Sequence, residues 1–394
     1  MTDYHSVETL FVFRDGEQVG TLHRLPKGCE FKYSEEFLRS NAAPIARHLP
    51  KLYEGIVVEG LANIPTYFAG LLPEGVMFSA VRRLIGSAAD DFFAVLAATG
   101  SDSIGDIETR IPGEGPRTSA LGLSEAKKQI EHLLDERGAF DASYLSAISG
   151  IQPKLSLGQI VGASRTRRYV AKFQSRQFPN LLENEFAFTQ LARRCRLNVS
   201  ETELVDGVLV MKRFDRIYDK PAQALRSLHV EDMLQVMDLF PNSKYSMEYF
   251  DLLSAMADLG VSKATLLDSL ELYLFSYIIG NGDLHAKNVS LIFDKETGQW
   301  ILTPVYDLIS TLPYTNMLPE GHRMALALVE DNIGRFSREE FLEFGERFRL
   351  PAKSVHRKID GLVQLVTKFA DPCLNNHVSS DVISTIRRRA DSLR

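Results

Sequence analysis

The stretch GNGDLHAKNVSLIF (280–293) contains two side chains whose types and spacing suit phosphoryl transfer. Asp283 and Asn288 stand five positions apart in a predicted loop, after a long apolar helix and before a strand. Phosphoryl transfer needs a carboxylate that accepts the proton of the substrate hydroxyl and an amide oxygen that helps to hold a metal ion. An Asp and an Asn on one short loop supply both, although capping and turn formation also explain many such pairs.

A second carboxylate and a lysine extend this pair. Asp307 follows Asn288 by nineteen positions, in PVYDLIS, where we expect it to leave a strand and to coordinate a metal that bridges nucleotide phosphates. We expect Lys172 to lie in the middle of a strand with apolar neighbours on both sides in YVAKF, which is costly unless the lysine is paired or binds an anion. The alternative for Lys172 is an edge position that faces water. Together the four residues supply the parts of a kinase.

The loop ISGIQPKLSLG (148–158) has features of a phosphate-binding turn. Gly150 and Gly158 permit close approach of the backbone, and Lys154 can meet phosphate charge. The loop matches neither of the common glycine-rich nucleotide motifs. A plain β-turn whose geometry is fixed by Pro153 therefore remains an alternative.

The N-terminal part of the chain reads as a mixture of strands and helices. Residues 9–24 predict two strands joined at Asp15-Gly16, and helical patterning appears at Val76–Leu84 and Asp91–Ala98. The segment IPGEGPR (111–117) has few apolar side chains and predicts a domain boundary.

The remaining elements must position the candidate residues. A helix at Ser124–Arg137 precedes the 148–158 loop, and RYVAKF (168–173) predicts a strand. The next helix, Glu183–Arg194, carries two carboxylates, Glu183 and Glu185, either of which could orient Lys172. A hairpin at Leu204–Phe214 turns at Asp206-Gly207. Beyond it the pattern is mainly helical, at 246–259, 263–280, 338–348, 354–370 and 380–393, with one β-rich insert at 289–307.

Composition narrows the class of protein. The 394 residues are 45% hydrophobic and 24% charged, which permits a sizeable core, and the net charge of -6 provides no chain-wide basic field. We therefore expect any DNA contact to come mainly through a partner. Three dispersed cysteines, no basic-then-apolar leader and no apolar run long enough for a bilayer predict a cytoplasmic protein without membrane association.

Nine motifs, taken in order, make the chain resemble the HipA family of serine/threonine kinase toxins, which belong to HipBA-type type II toxin–antitoxin systems. The resemblance spans essentially the whole chain. The motifs are VGTL (19–22), FKYSEEFL (31–38), GLLPEG (70–75), GSDSIGDI (100–107), ISGIQPK (148–154), RFDR (213–216), HVEDMLQ (229–235), GNGDLHAKNVS (280–290) and PVYDLIS (304–310). Small-molecule kinases share a loop of the Asp283 type, but they lack RFDR, the EDM motif and the N-terminal domain.

The resemblance implies an α+β protein with a protein-kinase-like two-lobed fold, an additional N-terminal α/β subdomain and a mainly helical C-terminal lobe. The implied domains are residues 1–115 for the N-terminal subdomain, 116–213 for the region that resembles a kinase N-lobe, and 214–394 for the helical lobe. The implied ligands are ATP and Mg²⁺. The implied partners are a HipB-like helix-turn-helix antitoxin, operator DNA reached mainly through that antitoxin, and a protein substrate such as an aminoacyl-tRNA synthetase.

The resemblance also assigns roles to individual residues. It implies Asp283 as the catalytic base, Asn288 and Asp307 as metal ligands, and Lys172 as the phosphate-binding lysine. The segment Met211–Phe214 would line the adenine site. Further nucleotide contacts are implied for Ser149, Gly150, Gln152, Lys154, Met211, Phe214 and Lys287.

Several neighbouring motif residues carry open alternatives. Asp215 could simply pair with the arginines on either side of it in RFDR. Glu231 and Asp232 fit either a favourable acidic pair at a helix N-terminus or a substrate contact. His285 is expected to brace the loop through hydrogen bonds rather than to carry a proton.

Family members carry a self-inactivating serine in the phosphate loop, at either of two positions before its glycine. Here the first position is Ala147 and the second is Ser149, so Ser149 is the candidate for autophosphorylation. Added negative charge there would repel the ATP phosphates or push the loop outward. The alternative is that Ser149 only caps the turn. Pro153 replaces an acidic residue of some members and should stiffen the loop.

Three functions follow as hypotheses. The first is an active kinase toxin that modifies a translation component. The second is a catalytically weak corepressor that binds an antitoxin on DNA, against which the four intact residues argue. The third is a small-molecule kinase.

Overall fold

The computed structural model describes residues 2–60, 64–87, 91–115, 122–135, 153–161, 164–219, 223–317, 321–328 and 334–394. The chain forms two compact units, and each is described by itself. The first unit takes in Met1–Phe173, Val210–Glu231 and Asp238–Pro241, and the second takes in Gln174–Leu209, Asp232–Met237 and Asn242–Arg394. The domain borders near 115 and 213 remain predictions.

Five strands of the first unit form an antiparallel sheet: β1 (Thr9–Arg14), β2 (Glu17–Leu25), β3 (Gly28–Tyr33), β4 (Ile56–Val58) and β5 (Ile107–Arg110). Their order across the sheet is β4-β3-β2-β1-β5. The predicted hairpin at Asp15-Gly16 is confirmed, because β1 ends and β2 begins on either side of that dipeptide. Leu10 and Leu22 are paired in this hairpin and fully buried, which places one face of the sheet on the core.

Helices supply the rest of this core. They are α1 (Glu35–Arg39), α2 (Thr66–Leu71), α3 (Gly75–Ile85) and α4 (Phe92–Thr99). Helix α5 (Leu123–Asp135) follows later in the chain. Phe31 of the sheet packs on Phe68 of α2, with ring centroids 5.6 Å apart. Helix α4 begins where predicted because the Asp91 side chain accepts a hydrogen bond from the Ala94 amide. The predicted end of α5 at Arg137 lies outside the described residues.

The predicted phosphate loop is partly strand. Residues 148–152 lie outside the described residues, but Lys154 begins strand β6 (Lys154–Val161), which pairs antiparallel with β7 (Ser164–Lys172). Gly158 lies in β6 at an irregularity of the register, not in a loop. The alternation of apolar and polar residues in KLSLGQIV favours a strand, whereas its glycine suggests a turn. The structure has the strand. Lys172 ends β7 and does not lie in its middle.

Two further hairpins follow in the chain. The hairpin predicted at Leu204–Phe214 is present as β8 (Thr202–Val205) and β9 (Val208–Lys212). The expectation of mainly helical structure beyond 214 is wrong for the next segment, because β10 (Arg216–Asp219) pairs with β11 (Ala224–Ser227). Charged residues in RIYD and ALRS hide the alternation that would have indicated strands. A short strand, β12 (Val230–Asp232), follows.

The second unit is mainly helical, as predicted. Its helices are α6 (Leu181–Arg194), α7 (Met233–Val236), α8 (Tyr249–Asp258), α9 (Lys263–Ile279), α10 (Arg338–Arg347), α11 (Ala352–Leu374) and α12 (Ser380–Asp391). The predicted β-rich insert is the hairpin of β13 (Ser290–Asp294) and β14 (Gln299–Leu302). Helix α9 is buried along most of its length, which explains its apolar sequence. Within the described ranges, no helix is both long and apolar enough to cross a membrane.

Candidate active site

The loop that carries Asp283 begins at the capped end of α9. Gly280 ends the helix with φ 71°, and the Asn281 amide reaches back to the Ser276 carbonyl at 2.8 Å. This left-handed cap turns the chain sharply, and glycine adopts it without strain. Gly282 allows a close approach as well, since a Cβ there would lie 2.7 Å from the Arg323 carbonyl oxygen. The two glycines therefore fix the direction in which the loop leaves the buried helix.

Asp283 and Asn288 are joined directly. The Asn288 Nδ2 donates to the Asp283 carbonyl at 2.8 Å, and the His285 amide donates to the same oxygen at 2.8 Å. The Asp283 amide in turn donates to Asn281 Oδ1 at 3.0 Å. Because the amide nitrogen of Asn288 is committed to the loop backbone, its Oδ1 is directed elsewhere as an acceptor. The backbone of His285 holds the loop through its amide, and the bracing role expected of its side chain remains a prediction.

The segment that carries Asp307 is tied to this loop on both sides. Tyr306, just before Asp307, donates from its hydroxyl to the Lys287 carbonyl at 2.7 Å. On the other side, the Thr311 Oγ1 accepts from the Gly282 amide at 2.9 Å. These bonds attach the chain next to Asn288 and next to Asp283. Asp283, Asn288 and Asp307 therefore lie on two loops that hydrogen bonds hold together.

Asp307 itself has an unusual backbone conformation. Its φ is 53°, in the left-handed region that aspartate adopts more readily than most residues. The strand predicted before Asp307 is present only as a single parallel bridge between Val199 and Val305. Asp307 therefore follows an isolated bridge and not a full strand. Farther along, Asn184 of α6 makes two hydrogen bonds to the Ser310 backbone, at 2.9 and 3.0 Å. Buried backbone contacts thus fix both ends of the Asp307 turn.

Lys287 immediately precedes the metal-ligand candidate Asn288, but its ammonium is directed to Asp232. The Nζ–Oδ2 distance is 2.9 Å, and the other oxygen of Asp232 caps helix α7 at the Gln235 amide. Asp232 therefore lies at a helix N-terminus, which was one of the two predictions for it. The Met233 amide also donates to the Val289 carbonyl at 3.0 Å. The predicted nucleotide contact of Lys287 remains a prediction.

The first unit presents two lysines on one face of a hairpin. Lys154 and Lys172 are directly paired in the β6–β7 register and are only 4% and 2% exposed. Opposed like charges on one face of a sheet are unfavourable, and burial adds to the cost, so the arrangement favours anionic groups nearby. The alternative of a water-facing edge lysine is wrong for Lys172. The orienting roles predicted for Glu183 and Glu185 stay predictions.

The remaining nucleotide candidates divide into two groups. Met211 is buried in β9, the strand beside β7, and Phe214 is half-buried just after β9. The Arg213 amide joins these strands through the Arg168 carbonyl at 2.8 Å. The adenine contacts of Met211 and Phe214 remain predictions. Ser149, Gly150 and Gln152 lie outside the described residues.

RFDR forms a buried ionic cluster in the first unit. Asp215 pairs with the arginines on either side of it, which was one of the two interpretations of this motif. The Asp215 carboxylate accepts from Arg213 Nε at 3.0 Å and Nη2 at 2.8 Å, and from Arg216 Nη1 at 2.6 Å. The Gly105 amide adds a fourth donor, and Arg213 also binds Asp102 at 2.8 Å. Burial alone would raise the pKa of Asp215, but these cations hold it below its usual value. The cluster is charge-balanced and structural.

His229 forms a second buried cluster that sequence reasoning missed. Its Nδ1 lies 3.0 Å from Asp106 Oδ1 and its Nε2 lies 3.0 Å from Glu231 Oε1, while Arg14 binds the other oxygen of Asp106 and also faces the ring. Burial alone would lower the pKa of His229, but hydrogen bonds to both carboxylates outweigh it and raise the pKa to about 9. Glu231 therefore binds His229 and does not cap a helix.

This pKa predicts a pH-dependent contribution to stability. A histidine whose pKa is raised on folding contributes fully below about pH 6.5, and the contribution is lost as the pH rises through about 9. We expect the free energy of unfolding of the parent to fall by on the order of 3 kcal/mol over this range relative to His229→Gln. Urea titrations between pH 6 and pH 10 measure the difference. Parallel curves for the two proteins would contradict the assignment.

The donor set of the second unit suits a hard divalent cation. Asn288 Oδ1 and the Asp307 carboxylate would offer oxygen donors, and Mg²⁺ is typically held by one or two protein carboxylates together with substrate phosphates. Among the residues that the structure describes, no three His, Cys, Asp or Glu side chains are grouped as a metal site. One amide oxygen and one carboxylate are protein donors that suit Mg²⁺ when substrate phosphates supply further oxygens.

The mixture of helices and antiparallel sheets agrees with the predicted α+β class. Two family models match the chain, the HipA N-terminal domain over residues 10–110 and the HipA-like C-terminal domain over residues 146–369. The second alone covers more than half of the sequence. The chain belongs to the HipA family.

Individual proteins are also similar to this chain. The chain is 29% identical to Y4dM of Sinorhizobium fredii over 76% of each chain, and 27% identical to Y4mE of the same organism over 98% of this chain and 97% of that one. Both names assign kinase activity provisionally. The serine/threonine-protein kinase toxin HipA of Shewanella oneidensis is 25% identical over 69% of this chain and 68% of its own length.

A solved structure shares the fold. It belongs to the complex of HipA, HipB and operator DNA from Shewanella oneidensis MR-1, and it matches with a TM-score of 0.74 at 20% identity. The match covers 98% of this chain and 97% of that chain. The predicted family and fold class are both confirmed.

Proposed function

We propose that the chain is an ATP-dependent serine/threonine protein kinase that acts as the toxin of a toxin–antitoxin pair. The observation that carries this proposal is the attachment of the Asp307 segment to the Asp283 loop through Tyr306 and Thr311. A phosphotransferase needs a base and its metal ligands in fixed relation, because its catalysis is mainly positioning and charge stabilisation. The kinase names of the relatives support the same class of reaction.

In the proposed reaction, Asp283 accepts the proton of the acceptor hydroxyl while that oxygen attacks the γ-phosphorus of ATP. The bond from phosphorus to the leaving oxygen of ADP breaks, and the products are a phosphoester and ADP. Asn288 holds the backbone of Asp283 through its amide nitrogen and presents its oxygen as a metal ligand. Asp307 supplies the second ligand. Mg²⁺ in this position would offset the negative charge of the phosphates.

The lysines of the first unit complete the proposal. Lys172 and Lys154, opposed on one face of the β6–β7 hairpin, would bind phosphate oxygens of ATP. Met211 and Phe214 would contact the adenine, and Ser149, Gly150, Gln152 and Lys287 would contribute further nucleotide contacts. Phosphorylation of Ser149 by the protein itself would regulate the site by adding negative charge.

The experiment that tests this function is transfer of labelled γ-phosphate from ATP to protein over a range of Mg²⁺ concentrations, with Asp307→Asn as the variant. Asn tolerates the left-handed backbone of this position, so the change removes charge without adding strain. We expect the half-maximal Mg²⁺ concentration to rise about tenfold or more, which equals about 1.4 kcal/mol of lost binding free energy.

Asp294→Asn is the matched control, because Asp294 lies in the neighbouring β13 and faces water in a turn. It should keep the Mg²⁺ requirement of the parent. A parent that transfers no label and binds no ATP would overturn the kinase proposal. An unchanged Mg²⁺ requirement in Asp307→Asn would overturn the metal assignment alone.

Partners and target complete the proposal. We infer a helix-turn-helix antitoxin of the HipB type, with operator DNA reached mainly through it. The solved complex of the structural relative contains HipA, HipB and operator DNA, and the net charge of -6 here gives no basic field of its own for DNA. The proposed target, a translation component such as an aminoacyl-tRNA synthetase, rests on the family resemblance.

A further inference from the structure

Tyr245 lies against the proposed catalytic base. Its hydroxyl donates to Asp283 Oδ1 at 2.7 Å, although the two residues are 38 positions apart in sequence. The side chain is 46% exposed. The residue comes from the segment before α8, between the short 3-10 turn at Pro241–Ser243 and the helix.

The tyrosine ring is held in place from two sides. The His285 ring packs edge-on against it, with centroids 5.1 Å apart and an interplanar angle of 82°. The Lys244 ammonium lies 5.3 Å from the ring centroid, within the range of a cation–π contact. The Lys244 carbonyl accepts from the Ala286 amide at 3.3 Å, which fastens this segment to the Asp283 loop. The hydroxyl is therefore positioned at the carboxylate.

This contact has the geometry that an acceptor hydroxyl needs. A general base must lie about 2.6–3.2 Å from the oxygen whose proton it takes, and the Tyr245 oxygen lies within that range of Asp283 Oδ1. An incoming hydroxyl or a water molecule that passes its proton to this oxygen competes with the phenol for it. The exposed side of the ring leaves it accessible to a protein that binds the site.

We propose that Tyr245 is a positioning and selectivity residue, which occupies the acceptor position of Asp283 and keeps water from it until a protein hydroxyl replaces the phenol. The inference rests on the proposed kinase function and adds selectivity against water. Without the phenol, water attacks the γ-phosphorus, its proton passes to Asp283, and ATP is converted to ADP and inorganic phosphate. With the phenol in place, ATP is kept for protein acceptors.

The test compares the full-length parent with Tyr245→Phe in Mg²⁺ and γ-labelled ATP, and it measures inorganic phosphate released and label retained on protein. Loss of one hydrogen bond to a charged group corresponds to a rate change of about tenfold. We expect phosphate release to rise about tenfold in kcat while the KM for ATP stays unchanged, because the lost contact is with Asp283. A purely structural role would lower the rate or raise KM instead.

Two controls make the result decisive. Tyr53→Phe removes a hydroxyl from a 69% exposed tyrosine of the first unit and should leave phosphate release at the parent level. Tyr245→Ala removes the ring as well and should release phosphate faster than Tyr245→Phe. A parent that transfers phosphate in an Asp283-dependent way, with no increase of release in Tyr245→Phe, would overturn the Tyr245 proposal alone. A parent that neither binds nor consumes ATP would overturn the proposed function and this inference together.

Discussion

Replacing Asp283 by Asn is expected to lower the kcat of phosphoryl transfer by about 10²–10⁴-fold, the usual contribution of a general base. Asn keeps the size of the side chain, and its amide oxygen can still accept from the Tyr245 hydroxyl. The backbone contacts of the loop come from the Asp283 carbonyl and amide and are unaffected by the change. The loss should therefore appear in the chemical step and not in ATP binding.

Two measurements separate these effects. Initial rates with labelled ATP give kcat, and titration calorimetry gives the dissociation constant for Mg-ATP, which we expect to stay within about twofold of the parent value. Asp258→Asn, at the exposed end of α8, is the matched control and should behave as the parent. A residual rate within tenfold of the parent would remove Asp283 from the role of base.

Replacing Asp215 by Ala is expected to destabilise the protein by about 3–5 kcal/mol, the usual cost when one partner of a buried ion pair is removed. Arg213 and Arg216 both bind this carboxylate, and it is fully buried. Without it, the buried guanidinium groups of Arg213 and Arg216 keep the Asp102 carboxylate as their partner in this cluster. Urea unfolding followed by circular dichroism gives the change in the free energy of unfolding.

Asp215→Asn should fall between the parent and Asp215→Ala. It keeps the shape and two acceptor lone pairs but loses the charge that balances the arginines. Asp258→Ala, an exposed substitution, should change stability by less than about 0.5 kcal/mol. If Asp215→Ala were as stable as Asp258→Ala, the ionic cluster would contribute nothing measurable to the fold.

Short-range patterns explain which parts of the fold the sequence predicts. Asp15-Gly16 between two alternating runs is sufficient for the first hairpin, and the apolar repeat of α9 is sufficient for the buried helix before the Asp283 loop. The loop that contains Asp283 and Asn288 is local as well, so their spacing predicts their proximity. The short, charged strands β10 and β11 lack such a pattern and were missed.

Long-range contacts explain what the sequence does not predict at the candidate site. Tyr245 reaches Asp283 from 38 positions away, and His229 meets Asp106 from 123 positions away. No local spacing marks either pair. Thr311 is similarly distant from Gly282, the residue that its hydroxyl holds. Such residues are found only when the fold brings their elements together.

Intact-mass spectrometry after incubation with Mg-ATP shows whether the protein transfers phosphate through Asp283. We expect the parent to gain one or more phosphate groups and the Asp283→Asn variant, treated identically, to gain none. Peptide mapping then tests whether Ser149 is the modified residue. An equal gain of phosphate in both proteins, or no gain in the parent together with no detectable ATP binding, would contradict a kinase site built on Asp283.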